Sequence, residues 1–102
     1  MNIQALGFGW DTGNRRKCRK HGIALSDIER FFRQDSVFVM PDIHHSHEED
    51  RYIAYGPSPK GRPMFVAFTF RIREDETLIR PISARYMHEK EAKEYEEKNS
   101  EI

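Results

Sequence analysis

Apolar positions cluster at helical spacing early in the chain and alternate along extended segments later. Leu6–Trp10 (Leu-Gly-Phe-Gly-Trp) predicts a short strand closed by the turn cluster Asp11-Thr12-Gly13-Asn14. Asp11 or Thr12 can cap a short, mostly polar helix through about His21, with Gly22 as the residue that stops it. Ser26-Asp27-Ile28-Glu29 has the form of a capping box, Ser26 at the N-cap and Glu29 three residues on. The helix it opens runs to about Arg33, and Leu25, Ile28, Phe31 and Phe32 form one apolar stripe that predicts core.

From Ser36 onward the pattern is extended. Ser36–Met40 is a β-branched and aromatic run ended by Pro41, and Arg51–Tyr55 is a second strand. Gly56-Pro57-Ser58-Pro59-Lys60-Gly61 predicts a turn, Met64–Arg73 the longest strand, Glu74-Asp75-Glu76 a turn and Leu78–Arg85 the returning strand. Pro81 inside that strand predicts an edge position or a bulge. His88–Lys98 is a charged closing helix with Ala92 and Tyr95 facing inward, and Asn99–Ile102 should fray. Short turns between strands predict an antiparallel meander. The expected fold class is α+β: two N-terminal helices, a β-meander, a C-terminal helix and an N-terminal strand added at an edge.

A length of 102 residues predicts one domain over 1–102 with one modest core. No apolar run approaches the roughly 20 residues of a membrane span, and the first residues lack the basic and apolar regions of a signal peptide. The lone Cys18 excludes an intrachain disulfide and fits a reducing cytoplasm, the expected location.

Charge changes the picture more than composition does. Seventeen basic groups balance seventeen acidic ones, but residues 1–33 carry +4, 34–50 carry −5, 51–87 carry +4 and 88–102 carry −3. Eleven of the basic groups are arginines, whose planar forks match phosphate oxygens. If folding gathers the two basic blocks, an anionic partner such as nucleic acid follows; if not, they are an ordinary mixed-charge surface.

Four constellations can carry chemistry. Arg15-Arg16-Lys17-Cys18-Arg19-Lys20-His21 sets five cations beside an imidazole, with Lys17, Lys20 and His21 able to share a helix face. A solvated basic helix reads the same way. Asp42–Asp50 holds His44, His45 and His47 among four acids, but not at the spacing of a helical His pair or a zinc knuckle, so a polar loop explains it and no metal is expected. Arg71 and Arg73 share a strand face, with Arg80 and Arg85 on the partner strand, where donors are held rigidly. Tyr86 and His88, at the strand-to-helix junction, are candidate proton donors or stacking groups.

Trp10-Asp11-x2-Asn14-x5-Lys20-His21-Gly22-Ile23, Glu49-x-Arg51, Gly56-x4-Gly61-Arg62, Phe68-Thr69-x-Arg71, Ile79-Arg80-Pro81-Ile82-Ser83-Ala84-Arg85 and Glu91-x3-Tyr95 together resemble the BrnT family of toxins. The likeness covers nearly the whole chain, and Lys-His-Gly and Ile-Ser-Ala-Arg are its most specific parts. It implies a RelE-like fold with a strongly curved antiparallel sheet and a ribonuclease toxin of a type II toxin–antitoxin pair. It also implies a dimeric ribbon-helix-helix antitoxin, BrnA, in a heterotetramer with two toxins, operator DNA being met only through the antitoxin.

On that resemblance the reaction is metal-independent cleavage of RNA by attack of the ribose 2′-hydroxyl on the adjacent phosphate, with no cofactor. Lys20, His21, Arg71, Arg85, Tyr86 and His88 are the candidate catalytic residues: His21 as acid or base supported by Lys20, Arg71 and Arg85 on the phosphate, Tyr86 and His88 as further proton donors. Arg16, Lys17, Arg51 and Arg73 are candidate RNA contacts. Two other readings stay open at this point: a binding module of the same fold that does not cut, and a metal hydrolase built on the His44–His47 loop.

Overall fold

The extended segments of the second half form one antiparallel meander, as their spacing predicts. The computed structural model of the chain describes residues 7–45 and 49–99. Leu6, the centre of the His-rich loop (46–48) and the end expected to fray (100–102) lie outside the described residues. In chain order the elements are β1 (Gly7–Phe8), α1 (Thr12–Arg19), α2 (Leu25–Phe32), β2 (Phe38–Pro41), a 3-10 turn at Ile43–His45, β3 (Tyr52–Pro57), β4 (Pro63–Arg73), β5 (Glu76–Tyr86) and α3 (Glu89–Asn99). The sheet order is β1-β5-β4-β3-β2. The edge strand β1 is parallel to β5, with Gly7 beside Leu78 and Phe8 beside Ile79, so the sheet is mixed, not purely antiparallel.

The strand period sorts the sheet into two faces. Ala54, Met64, Val66, Phe68, Ile79 and Ala84 are buried on one face with Cys18 of α1 and Ile28, Phe31 and Phe32 of α2. Phe68 is the centre of this core: its ring meets Phe32 at 5.0 Å, Phe70 at 5.5 Å and Tyr52 at 5.6 Å. The opposite face carries Phe38, Tyr55, Phe65 and Arg85 on four successive strands. There α3 docks through the Tyr95 ring on Tyr55 and through Glu91 on Arg85.

The expected strand at Leu78–Arg85 has its irregularity at Pro81. Ala67 pairs with Ser83 but Phe68 pairs with Pro81, so Ile82 is the extra residue of a β-bulge. Proline lacks the N–H that a regular ladder needs at that point. Asn14, only 3% exposed, reads the bulge: its Nδ2 donates to the Pro81 carbonyl at 2.8 Å and to the Gly9 carbonyl at 2.9 Å. Its Oδ1 accepts from the Asp11 N–H at 2.7 Å, while the Asp11 carboxylate accepts from the Asn14 N–H at 3.0 Å. Asp11 is thus the N-cap of α1, and Arg80 pairs with its other carboxylate oxygen at 2.6 Å. Chiefly the Asn14 N–H, then Arg80, holds the Asp11 carboxyl below its ordinary pKa. Gly22, at φ +79°, ends the α1 turn as expected.

Two local expectations are corrected. Ser26 does not cap α2; the N-cap is Ala24, without a side-chain bond, and α2 opens at Leu25. Packing of Leu25 against the core draws it into the first turn, and Glu29 instead accepts from the Trp10 indole N–H at 2.8 Å. The turn expected at Gly56–Gly61 begins later, since Gly56 and Pro57 belong to β3. A Cβ on Gly56 would lie 3.0 Å from the Ser36 carbonyl, so glycine lets the segment before β2 cross close over the strand. The turn proper is closed by Ser58 N–H to the Arg62 carbonyl at 2.9 Å.

Two stability outcomes follow. Asn14→Ala strips two buried carbonyls of their donor and removes half of the α1 capping box. It should lower unfolding free energy by about 3 kcal/mol, or Tm by roughly 15 °C, in chemical and thermal denaturation. The β4–β5 hairpin turns on Glu74 and Asp75, both left-handed at φ 52° and 64°. Glu74→Asn with Asp75→Gly supplies the residues such a two-residue turn prefers and should raise stability by about 1 kcal/mol.

Candidate active site

Helix α1 runs along β5. Its sheet-facing residues are Asn14 and Cys18, four apart, while Arg15, Arg16, Lys17, Arg19 and Lys20 are all exposed. Because Asn14 anchors the start of the helix at Pro81, the end of the helix is delivered farther along β5, and His21, itself exposed, reaches the same cleft as Ser83 and Arg85. These three line a cleft of about 360 Å³ with Met40, Ile53, Phe65, Ala67 and Glu91.

Arg85 is set by three contacts. Glu91 accepts from Nη1 at 2.9 Å and from Nη2 at 3.0 Å, the Tyr86 carbonyl accepts from Nη1 at 3.2 Å, and the guanidinium stacks 4.8 Å above the Phe65 ring. A guanidinium has five N–H groups. Three are used here, and among the described residues no acceptor meets the remaining Nε–Nη2 edge, which is itself a planar fork. Glu91 is held in turn by α3, whose first turn it closes by accepting from the His88 N–H at 2.9 Å. Arg85, then the His88 N–H, pushes the Glu91 carboxyl down to about 2, so it is ionised near neutrality and no proton donor there.

Of the residues singled out in the sequence, the structure brings His21 and Arg85 together. Arg71 does not join them. It pairs with Leu78, six residues beyond Phe65 and about 20 Å along β4, while Arg73 pairs with Glu76 near the hairpin tip. Tyr86 lies on the other face of β5, opposite Met64, with Arg62 stacked 4.3 Å over its ring. His88 is exposed beside Glu91. Arg16 and Lys17 of α1 and Lys20 at its C-cap are exposed and do not line the cleft, and Arg51 precedes β3, its carbonyl accepting from the Asp42 N–H at 2.8 Å. Burial pushes the Cys18 thiol up to about 11, which makes it no nucleophile. Among the described residues no three His, Cys, Asp or Glu side chains converge as a metal site, and no helix is long and apolar enough to cross a membrane.

Two polar lining residues, both within the quoted motifs, are absent from the candidate site residues of the sequence reading. Ser83 stands two before Arg85 and so shares its strand face, a signal available from alternation. Glu91 stands three after His88, the spacing of a capping carboxylate.

The ion pair makes a pH prediction. A carboxyl lowered from 4.5 to about 2 in the folded chain stabilises it above pH 4.5 and loses that contribution as pH falls toward 2. Glu91→Gln should therefore be less stable than the parent at pH 7, and denaturant titrations should show the gap closing between about pH 4.5 and 2.

The cleft thus contains an imidazole, a hydroxyl and a rigidly held guanidinium fork. Residues 10–91, from Trp10 at the β1–α1 junction to the carboxylate on Arg85, match the family model described as a ribonuclease toxin, BrnT, of type II toxin-antitoxin systems. No curated protein matches the chain. The match spans every residue that lines the cleft, and the chain belongs to the BrnT family of ribonuclease toxins of type II toxin–antitoxin systems.

Proposed function

We propose that this chain is an endoribonuclease that cleaves RNA by metal-independent transesterification at the cleft shared by His21 and Arg85. The observation that carries the reading is that shared cleft: an acid–base group and an open guanidinium edge, contributed by segments more than sixty residues apart. A phosphodiester seated on the Nε–Nη2 edge of Arg85 has its charge matched by a fork that Glu91 keeps in one orientation. His21, in a side-chain class able to give and take protons near neutral pH, takes the proton from the attacking 2′-oxygen or gives one to the departing 5′-oxygen. His88, beside Glu91, is the better placed of the two further donors for the other half of that exchange. The P–O5′ bond breaks as the 2′-O–P bond forms, leaving a 2′,3′-cyclic phosphate and a 5′-hydroxyl; DNA lacks the attacking group. A hard divalent cation takes several oxygen ligands, whereas the one carboxylate among the described residues that lines this cleft is engaged by Arg85.

The exposed cations of α1, Arg16, Lys17 and Lys20, suit the flanking strand of RNA, as does Arg51. Arg71 and Arg73 are too far along β4 for the same phosphate and suit a distal stretch. The family implies an antitoxin. We assign it to the BrnA type, a ribbon-helix-helix dimer carrying two toxins and making the operator contacts, with acidic side chains covering the cationic cleft. The order of two helices, meander and closing helix supports a RelE-like comparison.

The test is degradation of RNA by the purified chain in EDTA. The wild type should yield cyclic-phosphate ends, and His21→Ala and Arg85→Ala should each lower the rate by roughly 10²- to 10⁴-fold. Undiminished activity in both variants sinks the residue roles. Intact RNA bound with steep salt dependence selects the module that binds without cutting.

A further inference from the structure

Beyond Phe65 the cleft continues into a second hollow of about 380 Å³, lined by Phe38, Met40, Tyr55, Phe65, Tyr95 and Glu94 among others. The two hollows share Met40, Phe65 and Glu91. Strand register explains the continuity. Arg85 is opposite Phe65, Phe65 opposite Tyr55 and Tyr55 opposite Phe38, so one row crosses four strands on the face away from the core. At the usual strand separation the row is about 14 Å long. Its members touch in sequence: Arg85 over the Phe65 ring at 4.8 Å, Phe65 to Tyr55 at 6.3 Å, and Tyr55 to Phe38 at 5.4 Å with the last two rings only 26° from parallel. Tyr95 closes the side of Tyr55 edge-on at 6.3 Å. Phe38 ends the row 42% exposed, an uncommon placement for a phenyl ring on an edge strand.

We infer that Phe38, stacked on Tyr55 and joined through Phe65 to Arg85, is a platform on which a base farther along the RNA strand stacks, a row's length from the phosphate held in the cleft. The inference rests on the ribonuclease reading and adds to it where a nucleotide farther along the strand goes. A stack of two near-parallel rings accepts a third on its open side, and a nucleobase offers a flat π-face whatever its identity. The charges around the second hollow favour the base over the backbone. Glu94 and Lys98 line the second hollow with opposite charges and Glu91 is paired with Arg85, so the hollow offers a phosphate no net attraction, while the open guanidinium fork lies in the first cleft and leaves the uncharged base over the rings. Aromatic side chains on a sheet face are a common way to hold unpaired RNA, since they need no paired edge and order few rotamers.

The test measures binding of short single-stranded 2′-O-methyl RNA, whose capped ribose oxygen cannot attack, and of the same sugar-phosphate strand without bases. Wild type, Phe38→Ala and Phe38→Tyr are compared by fluorescence anisotropy. Phe38→Ala should weaken the base-bearing strand by roughly 5- to 150-fold. Phe38→Tyr should bind it as the wild type does. The abasic strand should bind equally to wild type and Phe38→Ala, and the salt slope should not change, because no phosphate contact is removed. Unchanged binding by Phe38→Ala overturns the platform alone. So does an equal loss for both strands, or a Phe38→Ala effect confined to association with a protein. A wild type that binds neither strand overturns the ribonuclease reading and the platform with it.

Discussion

A buried carboxamide keeps the parts of the candidate site in register. Helix α1 has eight residues, too few to persist alone in water, and its exposed surface is crowded with like charges. What holds it is Asn14, which closes the cap with Asp11 and directs its two donors to the Gly9 carbonyl just after β1 and to the β5 bulge. Pro81 contributes by what it lacks: without an N–H it breaks the ladder, and the bulge leaves its carbonyl pointed at the helix. The helix then has one alignment on β5, and the residue two past its end, His21, reaches the cleft that Arg85 lines. Position in the cleft is therefore decided about seven residues away from the imidazole itself.

A second constraint concerns charge. An arginine on a sheet face would sample many rotamers in water. Here a carboxylate from the first turn of α3 takes one edge of the guanidinium and a backbone carbonyl a third proton, while an aromatic ring supports its plane. Glu91 is itself fixed by the helix it caps, so the orientation of Arg85 is tied to the docking of α3. The acidic excess of the C-terminal segment, which from composition alone looks ill suited to a surface that meets RNA, thus includes one carboxylate that organises the cationic site.

The extended elements were legible because their period is two and their ends are marked by glycine, proline and acidic turns. The bulge was legible at Pro81 because the missing N–H is a property of the residue. The α2 capping box was misread: Ser26 and Glu29 have the right spacing, but Leu25 gains more from the core than Ser26 does from a cap bond, and the helix starts earlier. Arg71 and Tyr86 were attractive by residue type and proximity in sequence. Strand geometry separates them from Arg85, one by distance along β4 and the other by the alternation that turns adjacent side chains to opposite faces.

By itself the sequence determined the order of elements, an irregularity at Pro81, a cap for α1 at Asp11 or Thr12, and a pattern specific enough to resemble one family of toxins. These are local properties, set within a few residues by backbone sterics, hydrogen bonding and side-chain period. The tertiary structure alone decided which cation joins His21, that Glu91 braces it, and that Phe38, Tyr55 and Phe65 line up with it across four strands. Those pairings depend on the register between distant segments, and register is set by packing of the whole sheet against α1, α2 and α3, which no local stretch of chain encodes.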